Sequence, residues 1–481
     1  MRRFVGRSAL LTRLTEEWES VRNSGEGRMV TVRGRRQVGK TWLVEELIER
    51  IKPPHVFFPA SAQTEERELA IFGRTLAASN LPSRDLATGA SFETWQAALT
   101  TAATGADRAS PSVIVLDEFP YLLGETQVSR RAVLGSVQSA WDRSLGKLPV
   151  LLILVGSDLA MMEQITAHGN PLYQRPSREM YVPPLNPAEA ADLSGLAGAD
   201  ALDSYLVTGG FPKIVRARGS LGLRAFLTEQ LADAGLPLVA TGRQVLEAEF
   251  PPNQQARSIL SVIGEGFRRR VDIANEVGVA SNNLAAPLET LTSKKRVVEG
   301  RLPLSTAKSR DTRYEIADPY LRFFMRFVDR HLGEIERGRG RVAVSAIMSD
   351  WSTYRGRAVE HLVREGIDEL LPDERFGKAL VTGSYWTTDH QTEVDLVGAD
   401  RREPPAKRLT FIGTVKWREN KPLTLADLNA LVGISTGVPG ATADTMKVGV
   451  SRSGVEARAA NAFDVALGPE ELLRAWADAQ E

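Results

Sequence analysis

Short unbroken apolar runs alternate with stretches of helical spacing through the first third of the chain. Met29-Val30-Thr31-Val32, His55-Val56-Phe57-Phe58, Val113-Ile114-Val115-Leu116 and Val150-Leu151-Leu152-Ile153-Leu154-Val155 are the runs. A strand buried on both faces of a parallel sheet needs this kind of run, because no side of it meets water. Leu10, Leu11, Leu14 and Trp18, then Trp42 to Ile48, then Leu69, Phe72 and Leu76, then Phe92, Trp95 and Leu99 follow helical spacing. Tyr181-Val182-Pro183-Pro184-Leu185 reads as a last strand. Pro187 then opens a helix, where its missing N–H costs nothing. The alternation predicts an α/β parallel sheet over residues 1–185. A helical lid is expected over 186–250, broken at Gly209-Gly210-Phe211-Pro212.

The pattern changes after Pro251-Pro252-Asn253. A helix begins at Ile259-Leu260, and a second runs from Val271 to Val279. A turn follows at Gly278, Ser281 is the expected cap, and a further helix runs to Leu291. Lys294 to Gly300 would enter a β-wing that returns through Tyr314-Glu315-Ile316-Ala317. That order predicts a winged helix-turn-helix over 251–330. Tyr320 to Val328 is an aromatic-rich helix suited to packing, and Gly338-Arg339-Gly340-Arg341 reads as a linker. Over 345–481 the pattern gives an amphipathic helix from Trp351 to Leu371. Strands are expected at Thr392–Val397, with alternating acids, and at Phe411–Trp417.

Composition narrows the class. The 481 residues are 43% hydrophobic and 25% charged, enough for two to four domains, each with its own core. Absence of cysteine excludes disulfides, thiol nucleophiles and thiolate metal sites, and fits a cytoplasmic protein. Met1 to Arg7 lacks the apolar stretch of a signal peptide. No apolar run reaches membrane-spanning length, so no membrane span is expected. Lys+Arg and Asp+Glu are both 60, so only local charge can indicate a partner. Residues 268–313 hold ten Lys/Arg against five acids, a surface that suits DNA phosphates. The alternative is a winged helix that packs against neighbouring elements and touches no DNA. Ser281, Asn282 and Asn283 open its second helix, which offers no arginine to read guanine.

The chemistry concentrates at Gly34-Arg35-Arg36-Gln37-Val38-Gly39-Lys40-Thr41, with Trp42 following. It matches the phosphate-loop pattern at every fixed position, between an expected strand and an expected helix. Its glycines let backbone N–H groups face phosphate oxygens, and the helix start adds partial positive charge. Lys40 would reach the β- and γ-phosphates and Thr41 would bind Mg²⁺. Asp117 and Glu118 end an apolar strand. A buried acidic pair is costly without a cation, so Asp117 is expected to hold Mg²⁺ and Glu118 to polarise the attacking water. Ser157, with Asp158 as the alternative, ends the next strand where a γ-phosphate sensor is expected. Arg175, with Arg178 as the alternate, is the arginine expected to stabilise charge in phosphoryl transfer.

Phe4-Val5-Gly6-Arg7, the phosphate loop, Leu116-Asp117-Glu118, Gly156-Ser157, Pro171-Leu172-Tyr173 and Gly209-Gly210-Phe211-Pro212 occur in one order. In this the chain resembles the archaeal/prokaryotic ATPase family, an AAA+/STAND-related group of P-loop ATPases, over about residues 1–245. The resemblance implies Mg-ATP as ligand, Phe4-Val5-Gly6-Arg7 near the adenine, and the two acids on a strand adjacent to the loop strand. The C-terminal part resembles the PD-(D/E)xK nuclease-like, restriction-endonuclease-like α/β domain often fused to that family. Glu360, Asp395 and Lys416 match its site. Thr414 stands where the motif wants Glu, and Thr is a poor Mg²⁺ ligand. Glu393 shares a face with Asp395. A degenerate site that binds DNA or a protein partner is therefore favoured over an active nuclease.

The leading expectation is ATP hydrolysis that drives or gates conformational change in attached domains, with an oligomer allowed. A nucleotide-gated DNA-binding module with little turnover and an ATP-dependent nuclease are the alternatives.

Overall fold

A computed structural model of the protein describes residues 4–250, 255–389 and 391–478. Met1 to Arg3 and the break at Pro251-Pro252-Asn253 lie outside the described residues. The chain forms two compact units, Met1–Pro184 and Leu185–Glu481.

The first unit is a five-stranded sheet: β1 (Arg28–Arg33), β2 (His55–Pro59), β3 (Ser112–Asp117), β4 (Val150–Gly156) and β5 (Arg178–Tyr181). Its order is β2-β3-β4-β1-β5 and every pairing is parallel. β3 and β4 are buried along their whole length, as their unbroken apolar runs require. Phe58, Phe72 and Trp95 pack edge-to-face or tilted in the core on one side of the sheet. Contrary to what the family resemblance implied, the acid-bearing strand is not adjacent to the loop strand. β4 lies between them, pairing Leu151 with Arg28 on one side and with Val113 on the other. An apolar run reports burial but not strand order, which the helical crossovers decide. The last strand also lies earlier than expected, at Arg178–Tyr181. Val182 still donates its N–H to the Arg33 carbonyl at 2.7 Å, but Pro183 and Pro184 have no N–H with which to continue.

The second unit opens on the helix Pro187–Ser194, fixed by a capping box between Asn186 and Glu189. At Gly210 a Cβ would fall 1.9 Å from the Leu185 carbonyl oxygen, so the Gly-Gly-Phe-Pro break is a close backbone approach that only glycine permits. Helices Gln255–Glu265 and Arg270–Val277 follow, the latter ended by left-handed Gly278. The next helix differs from expectation: Ser281 does not cap it but opens a 3₁₀ turn that passes through Ala285–Glu289 into a π turn. Pro287 lacks the N–H that an α-helix begun at Ser281 would need. β6 (Val298–Arg301) and β7 (Arg313–Ile316) pair antiparallel, as the expected wing requires.

Gly338-Arg339-Gly340-Arg341 is not an open linker. Gly338 turns the chain, and a continuous helix runs from Gly340 to Leu370. Residue 345, expected to begin a domain, lies inside it. The remaining sheet, β8 (Val381–Trp386), β9 (Glu393–Ala399), β10 (Leu409–Lys416), β11 (Met446–Ser451) and β12 (Val465–Leu467), has the order β12-β11-β10-β9-β8. β8, β9 and β10 run antiparallel, and β10, β11 and β12 parallel. Asp203 joins its elements: its carboxylate accepts from Arg355 at 3.0 Å, Trp417 Nε1 at 2.7 Å and Arg452 at 3.1 Å. No helix among the described residues is long and apolar enough to cross a membrane.

Candidate nucleotide site

The phosphate loop leaves β1 and enters the helix Lys40–Ile51. Gly34 sits so close to the chain after β5 that a Cβ would come within 2.4 Å of the Val182 carbonyl oxygen. Gln37 and Gly39 are left-handed, with φ of 62° and 93°. A buried arginine fastens the loop from outside. Arg7 donates to the carbonyls of Gly39 at 3.1 Å, Pro183 at 3.3 Å and Val38. This strap was not legible in the sequence, where Phe4-Val5-Gly6-Arg7 suggested only nearness to a base. The Phe4 ring meets Trp42 edge-on at 5.5 Å.

Lys40 is buried and donates to the Arg35 carbonyl at 2.9 Å. Burial pulls its ammonium down to about 8, against the upward pull of Glu118 and Asp117. The Thr41 hydroxyl donates to Asp117 at 2.8 Å. Burial also pushes the Asp117 carboxyl above the usual range, while the Thr41 bond opposes the shift. A hydroxyl and a carboxylate oxygen meeting at the loop form an all-oxygen donor set, which suits a hard cation such as Mg²⁺. Glu118 follows Asp117 with φ 51°, a costly conformation for a non-glycine residue.

The Ser157 hydroxyl donates to Glu118 at 2.6 Å, so the end of β4 touches the acid that is expected to polarise water. At Gly156 a Cβ would fall 2.8 Å from Pro120, which explains the glycine beside Ser157. Arg36, already part of the expected loop, makes a contact that sequence reasoning missed. It donates to the Tyr121 hydroxyl, and its guanidinium lies 5.7 Å from the Tyr121 ring centre. Tyr121 follows Glu118 by three positions, so this contact ties the phosphate loop to the acid-bearing turn.

The two arginines are placed elsewhere. Arg175 makes a two-pronged ion pair with Asp142, with bonds of 2.9 and 2.8 Å. Arg178 pairs with Glu16 and Glu17. Each fixes a surface segment to a neighbouring helix, and among the described residues neither bonds to the loop or the acids. Sequence position put them near the right strands but could not give their direction.

In the second unit Glu360 and Asp395 interact electrostatically, and among the described residues no hydrogen bond or ion pair links Lys416 to either. Asp395 accepts from the Thr414 hydroxyl at 3.0 Å and the Val415 N–H at 2.8 Å. Glu393, expected on the same face, pairs instead with Arg313 at 2.7 Å. Burial, then Asp395, pushes the Glu360 carboxyl up to about 8, against Arg364. Glu360 is therefore largely protonated at neutral pH. The unfolded chain ionises it near 4.5, so its burial costs stability increasingly as pH rises from about 4.5 towards 8. Glu360→Gln should remove that dependence, leaving the variant at least as stable as the parent at pH 8 in a melting series from pH 5 to 8. An unchanged pH slope would show that the group is ionised in the folded chain.

Most of the ten basic residues at 268–313 are already engaged. Arg268, Arg269, Arg301 and Arg313 pair with Glu315, Asp272, Glu299 and Glu393, and Arg270 holds the Ser281 carbonyl. Lys294, Lys308 and Arg310 are exposed.

Residues 3–161 match the AAA ATPase domain family. Residues 324–427 match a family described as archaeal and bacterial proteins of unknown function. An uncharacterized protein of Methanocaldococcus jannaschii is 26% identical over 422 residues, 87% of this chain and 88% of that protein. Among solved structures, the Walker-type ATPase of Pyrococcus abyssi is 18% identical, with a TM-score of 0.46 over 67% of this chain and 96% of its own. The ORC2 protein of Aeropyrum pernix is 15% identical, with a TM-score of 0.44 over 73% and 98%. The AAA ATPase match spans the phosphate loop, both acids and Ser157.

Proposed function

We propose that residues 1–184 bind Mg-ATP and hydrolyse it, and that turnover drives or gates the second unit. The observation that carries this reading is the meeting of Thr41 with Asp117 at 2.8 Å, next to Glu118 held by Ser157 at 2.6 Å. Lys40 and the loop N–H groups take the phosphates. Thr41 and Asp117 would hold Mg²⁺, which neutralises phosphate charge when bound. Glu118 accepts the proton of the attacking water, and Ser157 fixes its carboxylate. The full chain with ATP and Mg²⁺ should release inorganic phosphate, and release should stop when EDTA removes the metal. Tight ATP binding without release would favour the nucleotide-gated module instead.

Within the second unit the reading is a winged helix at 255–330 and a nuclease-like domain whose site is degenerate. Thr414 supports degeneracy, since its hydroxyl bonds Asp395 where the motif would supply a second carboxylate. DNA binding rests on exposed Lys294, Lys308 and Arg310 beside the wing. Duplex binding by the full chain should weaken steeply as salt rises, with a log–log slope of roughly −2 to −3 for about three phosphate contacts. Failure to bind at low salt removes DNA as a partner.

A further inference from the structure

A cavity of about 180 Å³ lies within the second unit, between the end of the Gln255–Glu265 helix, β7, the Pro319–Phe323 helix with its π turn, and the Gly340–Leu370 helix. Four guanidinium groups, Arg268, Arg322, Arg326 and Arg357, face it from different elements, together with the carboxylates of Glu265, Glu315 and Asp350. Each carboxylate has its own cation. Glu315 pairs with Arg268 at 2.9 Å, Asp350 with Arg326 at 3.1 Å and Glu265 with Arg330 at 4.0 Å. Arg326 also donates to the Glu265 carbonyl. Arg322 is held by carbonyls alone, those of Ile316 at 2.6 and 3.0 Å and Ala358 at 3.5 Å. Among the described residues no carboxylate lies within ion-pair range of Arg322 or Arg357.

Arg322 and Arg357 therefore stand at the wall and mouth of a polar cavity with no directly paired carboxylate among the described residues. A half-buried guanidinium without a directly bonded counter-charge carries a desolvation cost that an anion would relieve. The bonds described use a minority of the donors on the four groups, since each guanidinium carries five N–H. The field at this place is strong. Glu315 is buried, which alone would raise its carboxyl, yet Arg268, Arg322 and Arg364 drive it far below the usual range. The volume is small against the ~300–1,000 Å³ of pockets that hold drug-sized ligands. It suits an ion rather than a nucleotide. Donors converging from several elements favour a tetrahedral acceptor, whereas a planar carboxylate is satisfied by one guanidinium fork.

We propose that this cavity binds a small tetrahedral oxyanion, with inorganic phosphate as the representative ligand. The site is separate from the phosphate loop, and the proposal stands whether or not the first unit hydrolyses ATP. Calorimetry with inorganic phosphate at constant ionic strength tests it, using the full chain carrying Lys40→Ala to weaken binding at the loop. One saturable site is expected, weakened at least tenfold by Arg357→Ala, an exposed position whose change spares the fold. Hydrogen exchange provides a second readout: phosphate should slow amides near 264–268 and 353–358. Acetate at matched ionic strength should do neither. Binding that Arg357→Ala leaves intact, equal heat from acetate, or no saturable binding overturns the proposal.

Discussion

Glu118→Gln should lower ATP turnover by roughly 10²–10⁴-fold, the usual contribution of a general base, while nucleotide affinity stays within a few-fold of the parent. The amide keeps the shape of the side chain and can still accept from Ser157, so the left-handed turn at Glu118 and the loop beyond it persist. Under the proposed function, what it loses is the basicity that takes a proton from water. Binding would rest on other groups: Lys40, Thr41 and the loop backbone, strapped by Arg7. Single-turnover hydrolysis and equilibrium binding of ATP, measured on the same protein, separate the two. A variant that hydrolyses at the parental rate would remove Glu118 from the chemistry. A variant that loses binding as well would make Glu118 a structural support of the loop.

Asp203→Ala should destabilise the second unit by about 3–5 kcal/mol, the range for removing one partner of a buried ion pair. Asp203 lies in the helix Gly198–Thr208 and gathers Arg355 from the long helix, Trp417 from the end of β10 and Arg452 from the end of β11. Burial pushes its carboxyl up, against the pull of Arg355, Trp417 and Arg452. Removing the carboxylate leaves two guanidinium groups and an indole N–H with fewer acceptors in a place closed to water. Arg355 would keep Glu419 at 3.0 Å and Arg452 would keep Asp200 at 3.0 Å, which limits the loss. Asp203→Asn should cost less, because its oxygen still accepts from Trp417. Urea unfolding followed by fluorescence reads the change, with the two units fitted as separate transitions. A cost below about 1 kcal/mol would mean that the arginines find other partners.

The elements that sequence reasoning located share one property: their signals depend on neighbours close in the chain. The phosphate loop is one turn between a strand and a helix, so its eight residues carry their own geometry. Asp117 and Glu118 end an apolar run, and a run that ends in acids marks the polar end of a buried strand. The capped helix after Asn186 and the β6–β7 ribbon are local in the same way.

What failed depended on direction across the fold. Arg175 and Arg178 were placed by distance along the sequence, but Asp142, Glu16 and Glu17 decide where their guanidiniums go. Lys416 matches a motif by spacing, yet among the described residues no hydrogen bond or ion pair links it to Glu360 or Asp395. The Arg36–Tyr121 contact spans 85 positions, the Arg7–Pro183 contact 176 and the Asp203–Arg452 contact 249, and no periodicity encodes such pairs.

By itself, then, the sequence determined a parallel α/β unit with a complete phosphate loop and an acid pair at a strand end. Periodicity and turn chemistry are local properties that a linear pattern can carry. Only the tertiary structure decided that β4 separates the loop strand from the acid strand, that Ser157 meets Glu118, and that Arg7 straps the loop. It also decided that four arginines from different elements border one cavity. These follow from which strands pair and which helices cross, and burial of the whole apolar surface settles them together.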